Sequence, residues 1–379
     1  MPKNKKRSQR FYDYSLLFAI VFLTIFGLVM IYSASSYTAQ LNHDGNAAYF
    51  MTRQGAIAMG GFVLMVMVSK MDYHWYARFS GLAILISWVL MIAVSLVGRE
   101  VNGKKRWLGV GPISFQPTEL VKITVIVAMA ALITRIGKDV DRPAGIARAI
   151  LITIPLAGIV AANNLSSGII IAGIGFVMMF VASRKILIYG GCVALGAIIM
   201  VFAGPIGNFL TKIKVLKPYQ LTRINVWLDP EAYPTTGGYQ VLQGLYAIGS
   251  GGLFGKGLGE SIQKLGFVPE AQNDMIFSII CEELGLFGAV SVILIFMFMI
   301  YRFVLIAGNA PDLFGALIVV GVMAHIAIQV ILNIAVVTNT IPNTGITLPF
   351  ISYGGTSILF LMVEMGMVLS VSNQIKLEK

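Results

Sequence analysis

The residue in this 379-residue chain best placed to do chemistry is Asp274, a carboxylate at the mouth of an apolar run. It ends the polar stretch Phe267-Val-Pro-Glu-Ala-Gln-Asn-Asp274 and stands directly before Met275-Ile-Phe-Ser-Ile-Ile-Cys281. A helix starting there sets its macrodipole beside the acid and favours the ionised form. Two roles suit that position: a plain N-cap, or a deprotonated oxygen near a membrane surface that accepts a hydroxyl proton. Glu119 and Lys122, three residues apart after Gln116-Pro117, share one helix face. Ionisable groups this close to hydrocarbon are costly and usually paired. They read as a structural ion pair, or as a setting in which Lys122 faces a polar cavity and helps hold a phosphate. Glu282 and Glu283 are adjacent and cannot both face one partner. Beside Gly285 they read as polar packing contacts, with a cavity-lining or cation-binding role as the alternative. Glu364 stands alone in the last apolar run, and the sequence names no partner for it. Pro349-Phe-Ile-Ser-Tyr-Gly-Gly-Thr-Ser357, with Ser352 and Gly354, suits close backbone approach and helix capping.

Several other chemistries are excluded. The run Gly249-Ser-Gly-Gly-Leu-Phe-Gly-Lys-Gly-Leu-Gly259 suggests a nucleotide loop, but Ser250 stands where a Walker loop needs its first glycine. Gly257 follows Lys256 where Ser or Thr is required, and no dinucleotide fingerprint completes. The run reads instead as mobile, or as closely packed against a ligand. His43, His74 and His325 are scattered, which gives no zinc pattern. Cys192 and Cys281 both lie in apolar runs and read as small core residues rather than a disulfide. The net charge of +11 in such an apolar chain points to anionic lipid and topology signals, not to nucleic acid.

The elements that must position these residues are membrane helices. The chain is 57% hydrophobic and 12% charged, against about 25% charge in soluble domains. Ten apolar spans are predicted, at 15–35, 52–69, 79–98, 118–134, 149–163, 168–183, 186–204, 275–301, 314–336 and 356–373. The fold class is all-α: a polytopic integral membrane protein of about ten transmembrane helices in one domain, 1–379, with a long extracellular loop at 205–274 between spans seven and eight. Ten spans put both termini on one side. The basic tail 1–14 with Lys3, Lys5, Lys6, Arg7 and Arg10 contributes to the topology signal, as do Lys70, Arg78, Arg135, Lys138, Arg142, Arg148, Arg184, Lys185, Arg302, Lys376 and Lys379. These make 16 of the 28 basic residues and set both termini in the cytoplasm. The tail shows no cleavage site and reads as cytoplasmic, not as a signal peptide. The opposite side departs from the rule: 99–117 carries Arg99, Lys104, Lys105 and Arg106 against Glu100, and 211–223 carries Lys212, Lys214, Lys217 and Arg223 with no acid. These are solvated loop charges, or an external surface for a phosphate-bearing ligand. Asn163-Asn-Leu-Ser-Ser167 breaks the fifth and sixth spans at membrane depth, tolerable only against protein or a wet cavity.

Taken together, these stretches resemble the SEDS family (shape, elongation, division and sporulation), the RodA/FtsW-type peptidoglycan polymerases. The resemblance covers nearly the whole chain. It is carried by Asp13-Tyr14, Tyr32-Ser-Ala-Ser35, Asn102-Gly103 with Arg106-Trp107, Gln116-Pro-Thr-Glu119 with Lys122, and Arg223. It continues through Leu228-Asp-Pro230, Gly238-Tyr-Gln240, the glycine run, Pro269-Glu270, Asp274, Glu282-Glu283 and Pro349 to Ser357. Gly98-Arg-Glu-Val-Asn-Gly103 and Gly259-Glu-Ser-Ile-Gln-Lys-Leu265 lean toward the division or sporulation branch. Where family members often carry Pro-Asp-Leu-Gly-Thr, this chain has Asn163-Asn-Leu-Ser-Ser167, which argues against a required acid there or signals a subfamily difference.

The resemblance implies that the substrate is lipid II, polymerised into glycan strands at the outer face of a bacterial cytoplasmic membrane, with Asp274 as catalytic residue. Arg106, Lys122 and Arg223 become candidates to steady the departing pyrophosphate, and Glu119, Gln116, Ser352 and Gly354 further substrate-binding candidates. No cofactor is specified. A divalent cation, Mg or Mn, could share the phosphate task, but no acidic cluster identifies its ligands. The implied partners are membrane lipids and a class B penicillin-binding protein, a transpeptidase. Two other classes compete: a lipid II flippase, which predicts that mid-membrane polar residues matter most, and a divisome scaffold, which tolerates Asp274→Asn.

Overall fold

The computed structural model describes residues 9–101, 104–110, 113–213, 218–235 and 237–377. Lys3, Lys5, Lys6, Arg7, the Asn102-Gly103 pair, Lys214, Leu216, Lys217 and Lys379 lie outside them.

Nine described helices are long and apolar enough to cross a membrane, and a bent pair makes a tenth span. The first three are α1 (Tyr14–Asn42), α2 (Tyr49–Lys70) and α3 (His74–Val97). A meander of β2 (Arg99–Val101), β3 (Lys104–Val110) and β4 (Ile113–Phe115) leads into α4 (Pro117–Ile136). Next come α5 (Pro143–Asn163), α6 (Leu165–Ala182), and the bent pair α7 (Ile186–Val201) and α8 (Ala203–Lys212), turned by 81°. The predicted span 186–204 therefore ends early, and its last residues turn away. The long loop is not bare: it holds α8, α9 (Pro218–Leu228) and α10 (Gly238–Ser250). The bundle closes with α11 (Ile276–Gly308), α12 (Leu313–Val337) and α13 (Thr356–Gln374).

Capping follows the sequence. Asp13, Asn164 and Asp312 cap α1, α6 and α12, while Pro117 and Pro143 open α4 and α5, where a missing N–H is harmless. Outward side chains such as Phe18, Leu85, Leu151 and Leu294 are exposed, as helices in lipid require. On α7 only Tyr189 is buried, and Cys192 is exposed there, so this cysteine is not the core residue expected.

The termini meet. β1 (Gln9–Arg10) pairs antiparallel with β5 (Lys376–Leu377), which places both chain ends on one face, as an even span number demands. These two-residue strands and the meander are the only departures from the all-α expectation among the described residues. Close to the termini, Arg302 of α11 holds the buried Asp13 carboxylate at 2.8 Å. At the far end of the same helices, Ser33 donates to Glu283 at 2.6 Å. The 19 residues from Glu283 to Arg302 span about 28 Å at 1.5 Å per residue, the thickness of a bilayer's hydrocarbon core. Asp274 thus belongs to the face opposite the termini. Against α2, α13 packs through small residues: a Cβ on Gly366 would stand 2.7 Å from the Met65 carbonyl, and one on Gly61 3.0 Å from Met362.

Candidate active site

Asp274 sits in the turn before α11, but it does not cap that helix. The N-cap is Met275, and no side chain bonds the first turn. The macrodipole expectation also reverses. Burial pushes the Asp274 carboxyl up to about 7 from the usual 3.8; Glu270 adds to the rise, and its own backbone hydrogen bond and Arg223 oppose it. Oδ1 is buried without a hydrogen-bond partner. Oδ2 lies 3.7 Å from where a side chain on Gly345 would begin, and Gly345 has φ +69°, so bare backbone walls the acid.

That wall is part of a strap, residues 338–355, joining α12 to α13. Side chains from four helices grip its carbonyls. Trp227 and Arg223 of α9 donate to Asn339 and Asn343 at 3.0 and 2.9 Å. Ser166 of α6 donates to Thr344 at 2.5 Å. Asn333 and Gln329 of α12 donate to Ile346 and Thr347 at 2.7 and 3.0 Å. Gln54 of α2 reaches Ser352 at 3.5 Å. Gln240 of α10 accepts from the Asn343 amide and donates to Pro269, tying the strap to the turn that carries Asp274. The polar break at Asn163–Ser167 therefore faces protein. Arg106 belongs to the same rim: its Nε donates to the Asn163 carbonyl at 3.2 Å.

Below the strap lies a buried charge cluster. Lys122, 2% exposed, meets Glu119 at 2.9 Å, His325 at 3.0 Å and Gln329 at 3.5 Å. On its other nitrogen His325 meets Glu364 at 2.7 Å, and Ser357 donates to Glu119 at 3.2 Å. Glu364 thus acquires its partner, and Lys122 has its three hydrogens directed at protein rather than at an open phosphate site. Ser352 is buried and its hydroxyl accepts from the Leu348 N–H. Gly354 turns the strap into α13, its carbonyl accepting from Ser357. Gln116 caps α4 through its backbone only. Arg223 and Asp274 thus stand together at the rim, Arg106 is bonded to the end of α5 at Asn163, Ser352 lies within the strap, and Glu119 and Lys122 lie beneath it. His325, Gln329 and Asn333 escaped sequence reading. Their spacing of four puts three polar side chains on one face of an otherwise apolar helix, and that stripe was the available signal.

The glycine run is closely packed against protein. It packs on α11 where that helix breaks at Gly285 (φ +67°), and side chains on Gly251, Gly255 or Gly285 would strike backbone. Glu282 and Glu283 divide as expected. Glu282 takes Lys256 (2.7 Å), Ser261 (2.5 Å) and two loop N–H groups; Glu283 takes Lys264 (2.9 Å) and Ser33. Among the described residues no group of three or more His, Cys, Asp or Glu is arranged to hold a metal ion, so no side chains are assigned to a cation.

Residues 14–377 match a family model described as cell cycle protein, FtsW/RodA/SpoVE. The chain is 38% identical over 365 residues to stage V sporulation protein E of Bacillus subtilis (strain 168), covering 95% of this chain and 96% of that one. It is 37% identical over 377 residues to a probable peptidoglycan glycosyltransferase FtsW of the same organism, covering 98% and 93%. Its fold is similar to a chain of a peptidoglycan synthase complex solved to explain how polymerization and crosslinking are coordinated: TM-score 0.78, 27% identity, 96% and 98% coverage.

Proposed function

The chain belongs to the FtsW/RodA/SpoVE family, and from that membership we propose that it is a peptidoglycan glycosyltransferase of the FtsW-like branch, polymerising lipid II with Asp274 as base. The observation that carries the residue assignment is the Asp274 carboxyl itself: a buried, unpaired oxygen on the face opposite the termini, with a pKa moved to about 7. A general base works best when its pKa lies near the working pH. Asp274 takes the proton of the acceptor sugar's 4-hydroxyl, and that oxygen forms a bond to the donor's anomeric carbon. The bond from that carbon to the lipid pyrophosphate breaks and the pyrophosphate leaves with the electron pair. A single displacement inverts the centre, turning an α-linked donor into a β-linked product without a covalent enzyme intermediate. Arg223 and Arg106 supply positive charge where the leaving group develops its own. Lys122 and Glu119 act from beneath, by fixing the strap.

Orientation follows from charge. The basic residues Lys70, Arg135, Arg184 and Arg302 support a cytoplasmic placement of the face that carries the paired termini, and with it an outer-leaflet placement of Asp274. The similar chain acts in a complex that couples polymerization to crosslinking, which supports a class B penicillin-binding protein as partner here.

The test is polymerisation of purified lipid II by the wild type and by Asp274→Asn, each with and without a transpeptidase-inactive partner. Strands from the wild type alone, with both proteins folded, support the reading. Equal product from both removes Asp274 as base. No product from either, with lipid II crossing liposome membranes, installs the transport reading instead.

A further inference from the structure

The geometry points to Asn333 as the positioning residue for Asp274: one buried amide uses both its hydrogens to join the turn that carries the acid to the strap that walls it. This rests on the assignment of Asp274 as base. Asn333 Nδ2 donates to the Asp274 carbonyl at 2.9 Å and to the Ile346 carbonyl at 2.7 Å. An –NH2 group has two hydrogens, so both are committed.

The bridge matters because of what Asp274 lacks. Its Oδ1 has no hydrogen-bond partner that would fix χ1 and χ2 from the side-chain end. The carboxylate is therefore aimed by its own backbone and by the Gly345 wall, and Asn333 grips both: residue 274 directly, and residue 346 next to Gly345. The grip is itself anchored. Asn333 is fully buried, and one and two turns below it on the same face Gln329 and His325 are held by Thr347, Lys122 and Glu364. A reactive group is best held by a rigid element whose own side chains are locked, and the ladder Asn333–Gln329–His325 gives α12 that character. Asn333 Oδ1 is also buried without a protein partner.

The experiment compares purified full-length wild type, Asn333→Leu, Asn333→Asp and Gln329→Leu for initial rates of lipid II polymerisation across substrate concentration and pH 5 to 9, with thermal unfolding in the same detergent. Gln329→Leu removes a strap contact one turn away without touching Asp274, and Asp274→Asn serves as the blank. Misplacing a reacting group by about 1 Å costs roughly 100-fold in rate. The expected result is a kcat lower by about that factor in Asn333→Leu with KM changed less than about threefold, and an acid limb displaced downward as Asp274 escapes its buried setting. Asn333→Asp, nearly isosteric but short of a donor, is expected to lose more than about tenfold in kcat at unchanged unfolding temperature, which keeps the test open if the leucine variant misfolds. Rates within twofold of wild type in the aspartate variant overturn the proposal. So does a rate loss matched by Gln329→Leu at equal loss of thermal stability with the acid limb unmoved, which is the signature of a structural residue. Activity in Asp274→Asn equal to wild type overturns the base assignment as well, and so separates that failure from this one.

Discussion

With Asp274 as the proposed base, a carboxyl pushed up to about 7 predicts a reaction sensitive to pH where an ordinary aspartate would not be. At pH 6 about one eleventh of Asp274 is ionised and at pH 8 about ten elevenths, so the rate should climb roughly tenfold between them, with unit slope approached well below the midpoint. An aspartate left at 3.8 would give a flat profile over the same range. Two exposed neighbours tune the midpoint in opposite senses. Arg223 favours the carboxylate, so Arg223→Gln moves the acid limb above 7; Glu270 disfavours it, so Glu270→Gln moves the limb below. In 1 M salt the Debye length falls to about 3 Å, and the two variants should converge on the wild type while its midpoint stays near 7, because burial is not screened. The assay is initial rate on purified lipid II in detergent at fixed ionic strength, with unfolding followed at each pH. A flat profile from pH 5 to 9, or shifts of the same sign in both variants, refutes the reasoning.

Three other perturbations have defined outcomes. Lys264→Met strands the buried Glu283 carboxylate and should cost about 3–5 kcal/mol, while Lys264→Met with Glu283→Gln recovers much of it in thermal unfolding. Gly285→Ala forces a Cβ into the Leu253–Gly255 backbone at a positive φ, and should lower the unfolding temperature and release the glycine run to proteolysis, whereas Gly249→Ala, with open space around it, should be tolerated. Lys122→Met should destabilise the protein more than the pair Lys122→Met with Glu119→Gln, and should leave KM for lipid II near the wild-type value, because the ammonium is bound inward; a large KM rise at full stability would return Lys122 to the phosphate.

The helical membrane fold was legible because hydrocarbon enforces one pattern: runs of about twenty apolar residues, with their backbone bonds closed internally. Proline, asparagine and aspartate at the ends of α4, α5, α6 and α12 marked the boundaries. Asp274 was legible as a lone acid at the mouth of an apolar run, but its environment was not. Its raised pKa comes from burial beneath a strap more than sixty residues later in the chain, and no local spacing carries that information. The same limit applies to the glycine run, whose partner is a helix break at Gly285, and to Lys122, whose second partner, His325, is 203 residues away. The bend between α7 and α8 was missed for a different reason: apolar composition continues through Phe202-Ala-Gly-Pro205 while the axis does not.

The pairing of α2 with α13, and of β1 with β5, sets an order of events during synthesis. The second helix to enter the bilayer waits for α13, and residues 9 and 10 wait for residues 376 and 377. Until α13 arrives, the Gly61 face of α2 lacks the Met362 and Leu359 contacts that cover it. The contact between α2 and α13 therefore closes only after all the intervening helices have been made.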